Sequence, residues 1–365
     1  MLRFLHAADF HLDSPFAALT PSQAADRRRE SRELPARLAD YLREHPADLV
    51  LLSGDLLDDG SGYRETGEAL RAALGRMEVP VFLAPGNHDW YGPGSPYAAP
   101  GWPENVHIFR TAAAESVELP ALNAVVHGAA FTGPQQTAGL LTGFSAPADG
   151  RTHLMVLHGD FDVPDSRYDP VTREEAAASG LAYLALGHVH RRGELRLCGR
   201  TAVAWPGCPE GRGFDELGDR GFYEGAVDDA GAVTLRFVPF ARRRYLVLEA
   251  DVTGRDPLAA AESVLPPDAG ADLCRLVLTG ETDERGVDLP ALTEALSGRF
   301  YALELRDRTR VGEDVWARME EDSLRGLFLR ELRRKLDGAQ TEEERERVIR
   351  AVRFGLAALD HRDLA

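Results

Sequence analysis

The chain predicts an α/β protein built on parallel strands, and three observations carry that prediction. Apolar runs of buried-strand type, such as Asp48–Asp55 and Val79–Leu83, alternate with stretches of helical spacing. Several of these runs end in a glycine beside a polar residue, at Gly54-Asp55, Gly86-Asn87, His158-Gly159 and Gly187-His188, the position at which open α/β sheets bind ligands. The chain has 365 residues, 44% of them hydrophobic and 28% charged, enough for one large core and a smaller unit.

Taken in order, residues 2–9 run apolar as a first strand. Asp9 and His11, two apart in extended chain, point the same way and converge on one ion. Pro21 to Glu44 carries Leu34, Leu38, Tyr41 and Leu42 at helical spacing, and Pro35 predicts a helix that starts close to it after a separate charged segment. Asp48–Asp55 is the second strand, followed by Asp58 and Asp59. A helix over about 65–77 leads into the strand that presents Asn87 and His88, and this β-α-β-α-β order predicts parallel pairing. The Gly- and Pro-rich loop from Trp90 to Pro103 is expected near the mouth of the site. Residues 123–131, 153–157 and 181–186 read as strands, the last two ending in His158-Gly159-Asp160 and Gly187-His188-Val189-His190. His127 and His153 read as satisfied polar residues. Strands at about 222–227 and 233–239 complete the sheet-rich core.

Beyond it, Arg242-Arg243-Arg244 leads into an alternating strand at 245–252 and a short α+β stretch. Ser323 caps a helix with Leu324, Leu327, Phe328, Leu332 and Leu336 on one face. Thr341 and Glu344 form a capping box for another, with Val348, Ile349, Val352, Leu356 and Leu359 aligned. The expected division is a domain over 1–241, a small α+β domain over 242–312 and a helical segment over 313–365.

The net charge of −17 argues against a protein that coats nucleic acid through bulk positive potential. It leaves room for a local arginine track through Arg191, Arg192, Arg242–Arg244, Arg306, Arg308 and Arg310. Cys198, Cys208 and Cys274 are odd in number and unpaired in spacing, so they read as small buried hydrophobes. The N-terminus turns polar too quickly for a signal peptide and no run of ~18 apolar residues occurs, which predicts a soluble cytoplasmic protein without membrane contact.

Collected, Asp9, His11, Asp55, Asn87, His158, His188 and His190, with His88 beside them, are expected on one face of one sheet. Seven O and N ligands exceed one ion and suit two six-coordinate ions sharing a carboxylate. The absence of thiolates favours Mn²⁺, with Fe²⁺ or Zn²⁺ as alternatives. Two ions ~4 Å apart form a clamp for in-line displacement at phosphorus.

In this order, Asp9-x-His11, Gly54-Asp55, Gly86-Asn87-His88-Asp89, His158-Gly159 and Gly187-His188-x-His190 resemble the five motifs of the calcineurin-like metallophosphoesterase superfamily. More narrowly, His6–Phe16 and Trp205-Pro206-Gly207 with Glu210-Gly211-Arg212 resemble the SbcD-type DNA repair exonucleases, in particular their YhaO-like branch. The resemblance implies a four-layer α/β/β/α core of two sheets flanked by helices, a small capping domain and C-terminal helices that dock an SbcC/YhaN-like coiled-coil ATPase. It further implies DNA as substrate, a homodimer, and phosphodiester hydrolysis by a hydroxide bridging two divalent ions. Carried over by position, Asp9, His11, Asp55 and His190 hold one ion, and Asp55, Asn87, His158 and His188 the other. His88 contacts the scissile phosphate, oriented by Asp58 or Asp89. Arg191, Arg212, Arg242 and Arg243 are the candidate substrate contacts. The family pattern expects a basic or histidine-bearing residue after the glycine-arginine pair, where this chain has Gly213-Phe214-Asp215-Glu216. A phosphatase or phosphodiesterase of small nucleotides or phosphoproteins, using the same ions, is the alternative activity. A non-catalytic scaffold that keeps the fold to bind other proteins is the third reading.

Overall fold

Apolar runs buried on both faces give the chain its strands. The computed structural model describes residues 1–58, 64–163, 165–283 and 285–359. They fall into two compact units, Met1–Arg244 and Tyr245–Ala365. The first unit opens with β1 (Leu2–Ala7), α1 (Pro21–Glu44), β2 (Leu49–Leu52), α2 (Arg64–Gly75), β3 (Val81–Leu83) and β4 (Val106–Ile108). It continues through β5 (Glu115–Leu119), β6 (Ala124–Gly128), β7 (Thr152–His158), α3 (Arg173–Ala178) and β8 (Tyr183–Gly187). It closes with β9 (Arg196–Cys198), β10 (Thr201–Ala204), β11 (Gly221–Val227) and β12 (Val233–Pro239).

Two six-stranded sheets result, ordered β12-β11-β1-β2-β3-β4 and β5-β6-β7-β8-β10-β9. Strands β1 to β4 pair in parallel, as do β6, β7, β8 and β10, and antiparallel strands flank both runs. Alternation along each strand divides its side chains between two cores. Leu5, Ala7, Val50, Leu52, Val81 and Leu83 pack with Leu34, Leu38, Leu70 and Leu74 of α1 and α2. Their neighbours Phe4, Leu49, Leu51 and Phe82 meet Leu154, Val156, Tyr183 and Ala185 of the second sheet. The far face of that sheet, Met155, Leu157, Leu184 and Leu186, packs with Ala176 of α3 and with Leu140 and Leu141. Four layers follow, helix, sheet, sheet and helix, as the fold class expects, and two-faced burial explains why these strands read as unbroken apolar runs.

The expected helix start at Pro35 is overturned. α1 runs unbroken from Pro21 with Pro35 inside it. Thr20 and Gln23 form a capping box that sets the start about four turns earlier, and Pro21 occupies the first turn, where its missing N–H costs nothing. Buried Arg27 ties the N-terminal half down through Glu30 (2.7 Å) and Glu210 (2.9 Å).

The second unit runs β13 (Tyr245–Asp251), α4 (Pro257–Glu262), β14 (Leu273–Thr279), β15 (Glu281–Thr282) and α5 (Leu289–Leu296), then β16 (Ala302–Asp307), β17 (Arg310–Val311), α6 (Glu313–Ala317), α7 (Leu324–Gly338) and α8 (Glu342–Leu359). A parallel sheet ordered β13-β14-β16 carries one small core, and α6, α7 and α8 enclose another around Trp316, Leu329 and Val352. Ser323 caps α7 and Thr341 caps α8 through the amides of Gly326 and Glu344. The three cysteines are buried and unbridged. Among the described residues, no helix is long and apolar enough to cross a membrane.

Candidate metal centre

The polar residues at the strand ends converge, but across two sheets rather than on one. Asp9 and His11 follow β1, Asp55 follows β2, Asn87 and His88 follow β3, His158 ends β7, and His188 and His190 follow β8. The expected extended geometry is also overturned. Asp9 (φ 57°), His11 (φ 45°), Asp55 (φ 51°) and His188 (φ 85°) all lie in the left-handed region. Main-chain bonds hold them there, from Asp9 N to the Gly54 carbonyl (3.0 Å) and from His11 N to the Asp55 carbonyl (2.9 Å). Gly54 and Gly86 are required by close approach: a Cβ on Gly54 would stand 2.6 Å from His158 Nδ1, and one on Gly86 would collide with Asp55 Oδ1.

Among the described residues three triads of candidate ligand atoms form, Asp9–His11–His190, Asp55–His158–His188 and His11–Asp58–His88, the atoms of each within 4.8 Å of one another. His11 Nε2 and His190 Nε2 face each other at 3.1 Å. Asn87 Oδ1 lies 3.0 Å from His158 Nε2 and 3.1 Å from His188 Nδ1. Asp55 Oδ2 stands between the groups, 3.3 Å from His158 Nε2 and 3.7 Å from His11 Nε2. His158 donates from Nδ1 to the Ser53 carbonyl (2.8 Å), which turns its Nε2 edge toward Asp55 and Asn87. Burial alone would lower His158, but the carboxylates of Asp55 and Asp9 and the Ser53 carbonyl outweigh it and push its pKa up to about 10. The same contacts with His158 and His11 hold Asp55 below the carboxylate range despite its burial.

His88 Nδ1 lies 3.2 Å from Asp58 Oδ1, and its side chain is 37% exposed where Asp9, His11, Asp55 and His158 are buried. Asp58 also meets His11 Nδ1 at 3.4 Å and accepts the Ser14 hydroxyl at 2.8 Å. Burial raises Asp58, and the bonds from His11, His88 and Ser14 override it and hold it far down. Asp59 lies outside the described residues. Asp89, expected as the alternative partner of His88, serves the main chain instead. Its Oδ1 accepts the Gly86 and Asp55 amides (2.7 and 3.2 Å). Its Oδ2 accepts Leu56 N (2.7 Å), Leu57 N (3.2 Å) and the Tyr97 hydroxyl (2.5 Å). Buried at 1% exposure, Asp89 staples the turn after β3 to the turn after β2, and Tyr97 anchors the 90–103 loop to it.

The arginines divide. Arg243 is held by Glu30 (2.7 Å) and Arg242 by Glu33 (2.8 Å), and both main-chain amides donate to Glu210, so these two brace the end of the sheet against α1 instead of lining the site. Arg212 reaches the site, 2.9 Å from His190 Nδ1 and from Glu216 Oε1. Arg191, next to His190, is exposed.

Two residues at the site carry no expectation from the sequence. Glu216 Oε1 lies 2.7 Å from His190 Nδ1. His6, buried beneath the ligands, bonds Tyr183 Oη (2.7 Å), Ser53 Oγ (3.0 Å) and the Leu186 carbonyl (3.1 Å), and so ties the two sheets together. Burial lowers its pKa to about 3 against the opposing Leu186 carbonyl. Position in the His6–Phe16 motif was the available signal for His6. Glu216 stood in the Gly213-Phe214-Asp215-Glu216 stretch that departs from the family pattern, but its contact with His190 joins a loop 26 residues away and carried no signal.

The residues fit a pair of divalent ions. Asp9 Oδ2 is buried without a hydrogen-bond partner, which leaves an anionic oxygen directed at the cluster, and the surrounding N and O donors are those of a borderline or hard dication.

A calcineurin-like phosphoesterase profile matches residues 2–192. The uncharacterized metallophosphoesterase YhaO of Bacillus subtilis (strain 168) is 32% identical over 234 residues, which cover 61% of this chain and 56% of YhaO. The chain thus matches little more than half the length of that relative. Among solved structures, TT1561 of Thermus thermophilus has TM-score 0.40 and 11% identity, covering 65% of this chain and 98% of that one. A dimetal phosphatase from Danio rerio has TM-score 0.40 and 13% identity, covering 61% and 92% respectively.

Proposed function

We propose, from the premise that this chain belongs to the calcineurin-like phosphoesterase family, that it is a DNA nuclease hydrolysing phosphodiesters with two divalent ions, most simply Mn²⁺. Metal-dependent phosphoester hydrolysis goes with the family; DNA as substrate is our reading. One observation carries the two-ion part of it: Asp55, a member of the triad with His158 and His188, also faces His11 of the Asp9–His11–His190 triad, with partly exposed His88 beside them. Asp9, His11, Asp55 and His190 would hold one ion, and Asp55, Asn87, His158 and His188 the other. When bound, the ions supply an activated water and offset charge that develops on the phosphoryl oxygens.

This chain's own residues position and protonate. Asp58 accepts from His88 Nδ1 and thereby leaves Nε2 directed at substrate, where it delivers a proton to the leaving oxygen. Ser14 fixes the second oxygen of Asp58 and so limits rotation of the pair. Exposed Arg191, beside His190, supports a phosphate backbone reaching past the scissile group. Exposed Leu324 and Leu327 on α7 and Phe354 on α8 support docking of an SbcC/YhaN-like coiled-coil ATPase by the C-terminal helices.

A second reading, a phosphatase or phosphodiesterase of small nucleotides or phosphoproteins, is favoured by the ion pairs that engage Arg242 and Arg243 and shorten the expected cationic track. Mn²⁺-dependent degradation of end-labelled duplex and single-stranded DNA, run beside bis(p-nitrophenyl) phosphate, separates the two. The nuclease reading expects DNA cleavage that falls by about 10²-fold or more in His88→Ala with metal content unchanged. Hydrolysis of the small ester without DNA cleavage moves the assignment to the second reading.

A further inference from the structure

We propose that Glu216 is a positioning residue for His190, so that the Asp9–His11–His190 half of the centre is built only when the 208–221 loop is seated. The inference rests on the two-ion reading above and adds a residue to it.

His190 Nε2 faces His11 Nε2, and its other ring nitrogen, Nδ1, lies 2.7 Å from Glu216 Oε1. A proton shared with a carboxylate at Nδ1 fixes the ring orientation and leaves the Nε2 lone pair directed inward. Glu216 is itself immobilised. Its side chain is 5% exposed, its Oε2 accepts the Arg212 amide at 2.8 Å, and its Oε1 accepts the Arg212 guanidinium at 2.9 Å. The loop also grips the main chain of His190, whose carbonyl accepts from Cys208 N (3.1 Å) and from the Arg220 guanidinium (2.5 Å).

His190 needs this support more than the other histidine ligand candidates. Its side chain is 30% exposed, against 1% for His11 and 0% for His158, so packing alone restrains it least. The two halves of the centre are thereby unlike. The ring nitrogen of His158 that faces away from the ligand cluster meets a neutral carbonyl, and that of His190 meets a carboxylate. Arg212 supports the pair both by holding Glu216 and directly, its guanidinium 2.9 Å from His190 Nδ1, and its other terminal nitrogen, 3.4 Å from Ser14 Oγ, connects the loop to the Asp58–His88 pair.

The test is Mn²⁺ titration of the metal-free full chain by calorimetry, with electron paramagnetic resonance at saturation, in wild type, Glu216→Gln and Glu216→Ala. Thermal unfolding of each metal-free variant shows that it is folded. The proposal expects two ions and an exchange-coupled spectrum in wild type. In Glu216→Gln it expects one ion at unchanged affinity, the other weakened ~10–100-fold, and an uncoupled spectrum at equimolar metal. Either folded variant binding both ions as wild type does would overturn it. A wild-type chain that binds no pair of ions would overturn the two-ion reading instead, and this proposal with it.

Discussion

Asp9, His11, Asp55 and His188 each occupy a backbone region that costs a non-glycine residue of order 1 kcal/mol or more, and they are four of the seven expected ligands. Strain gathered at one point marks a constraint imposed by function. Identity and order of these residues were legible in the motifs, whereas their left-handed geometry was not, since spacing alone suggested extended chain. Asp89 shows the opposite limit. Its place in Gly86-Asn87-His88-Asp89 suggested chemistry, yet both its oxygens are taken by four amides and the Tyr97 hydroxyl. Asp89→Ala leaves those donors buried and unmatched and should cost roughly 3 kcal/mol or more in urea unfolding. Asp58→Ala, at a half-buried position, should lower turnover with a much smaller loss of stability. Equal stability of the two variants would contradict the assignment.

Elements were legible where one face is apolar and the cap is local. The Thr341–Glu344 box marked the start of α8, and β2, β7 and β8 stood out as unbroken apolar runs. α1 misled because Pro35 outweighed the local Thr20–Gln23 capping box, and because the residues that anchor its N-terminal half, Arg27 and Glu30, act through Glu210 and Arg243, far away in sequence. Asp169 gives the loop between β7 and α3 a measurable signature. Its Oδ1 accepts Leu140 N at 2.6 Å, and burial, opposed by that bond, raises its pKa to about 7. A carboxyl raised in the folded state contributes stability that is full below its unfolded value near 4 and is lost as pH rises through 7. Wild type should therefore lose up to about 1.4 kcal/mol per pH unit from this group between those limits. Asp169→Asn should flatten that slope in urea unfolding curves at pH 5, 6 and 7, and an unchanged slope would remove Asp169 as its source.

At the scale of the first unit, the centre exists because two sheets end at one place. Residues after β1, β2 and β3 supply Asp9, His11, Asp55 and Asn87, residues from β7 and β8 supply the histidines, and His6 bridges the sheets just beneath them through Tyr183, Ser53 and Leu186. The sequence reading put every ligand on one sheet because strand order along the chain does not disclose which strands pair. Glu216 and the pairing of Arg242 and Arg243 escaped it for the same reason, being contacts between segments tens to hundreds of residues apart. Whether two ions share Asp55 is read out by anomalous diffraction from crystals soaked in Mn²⁺. Two peaks about 3.5–4 Å apart with the Asp55 carboxylate between them are expected. A single peak, or two that do not share Asp55, would contradict the two-ion reading.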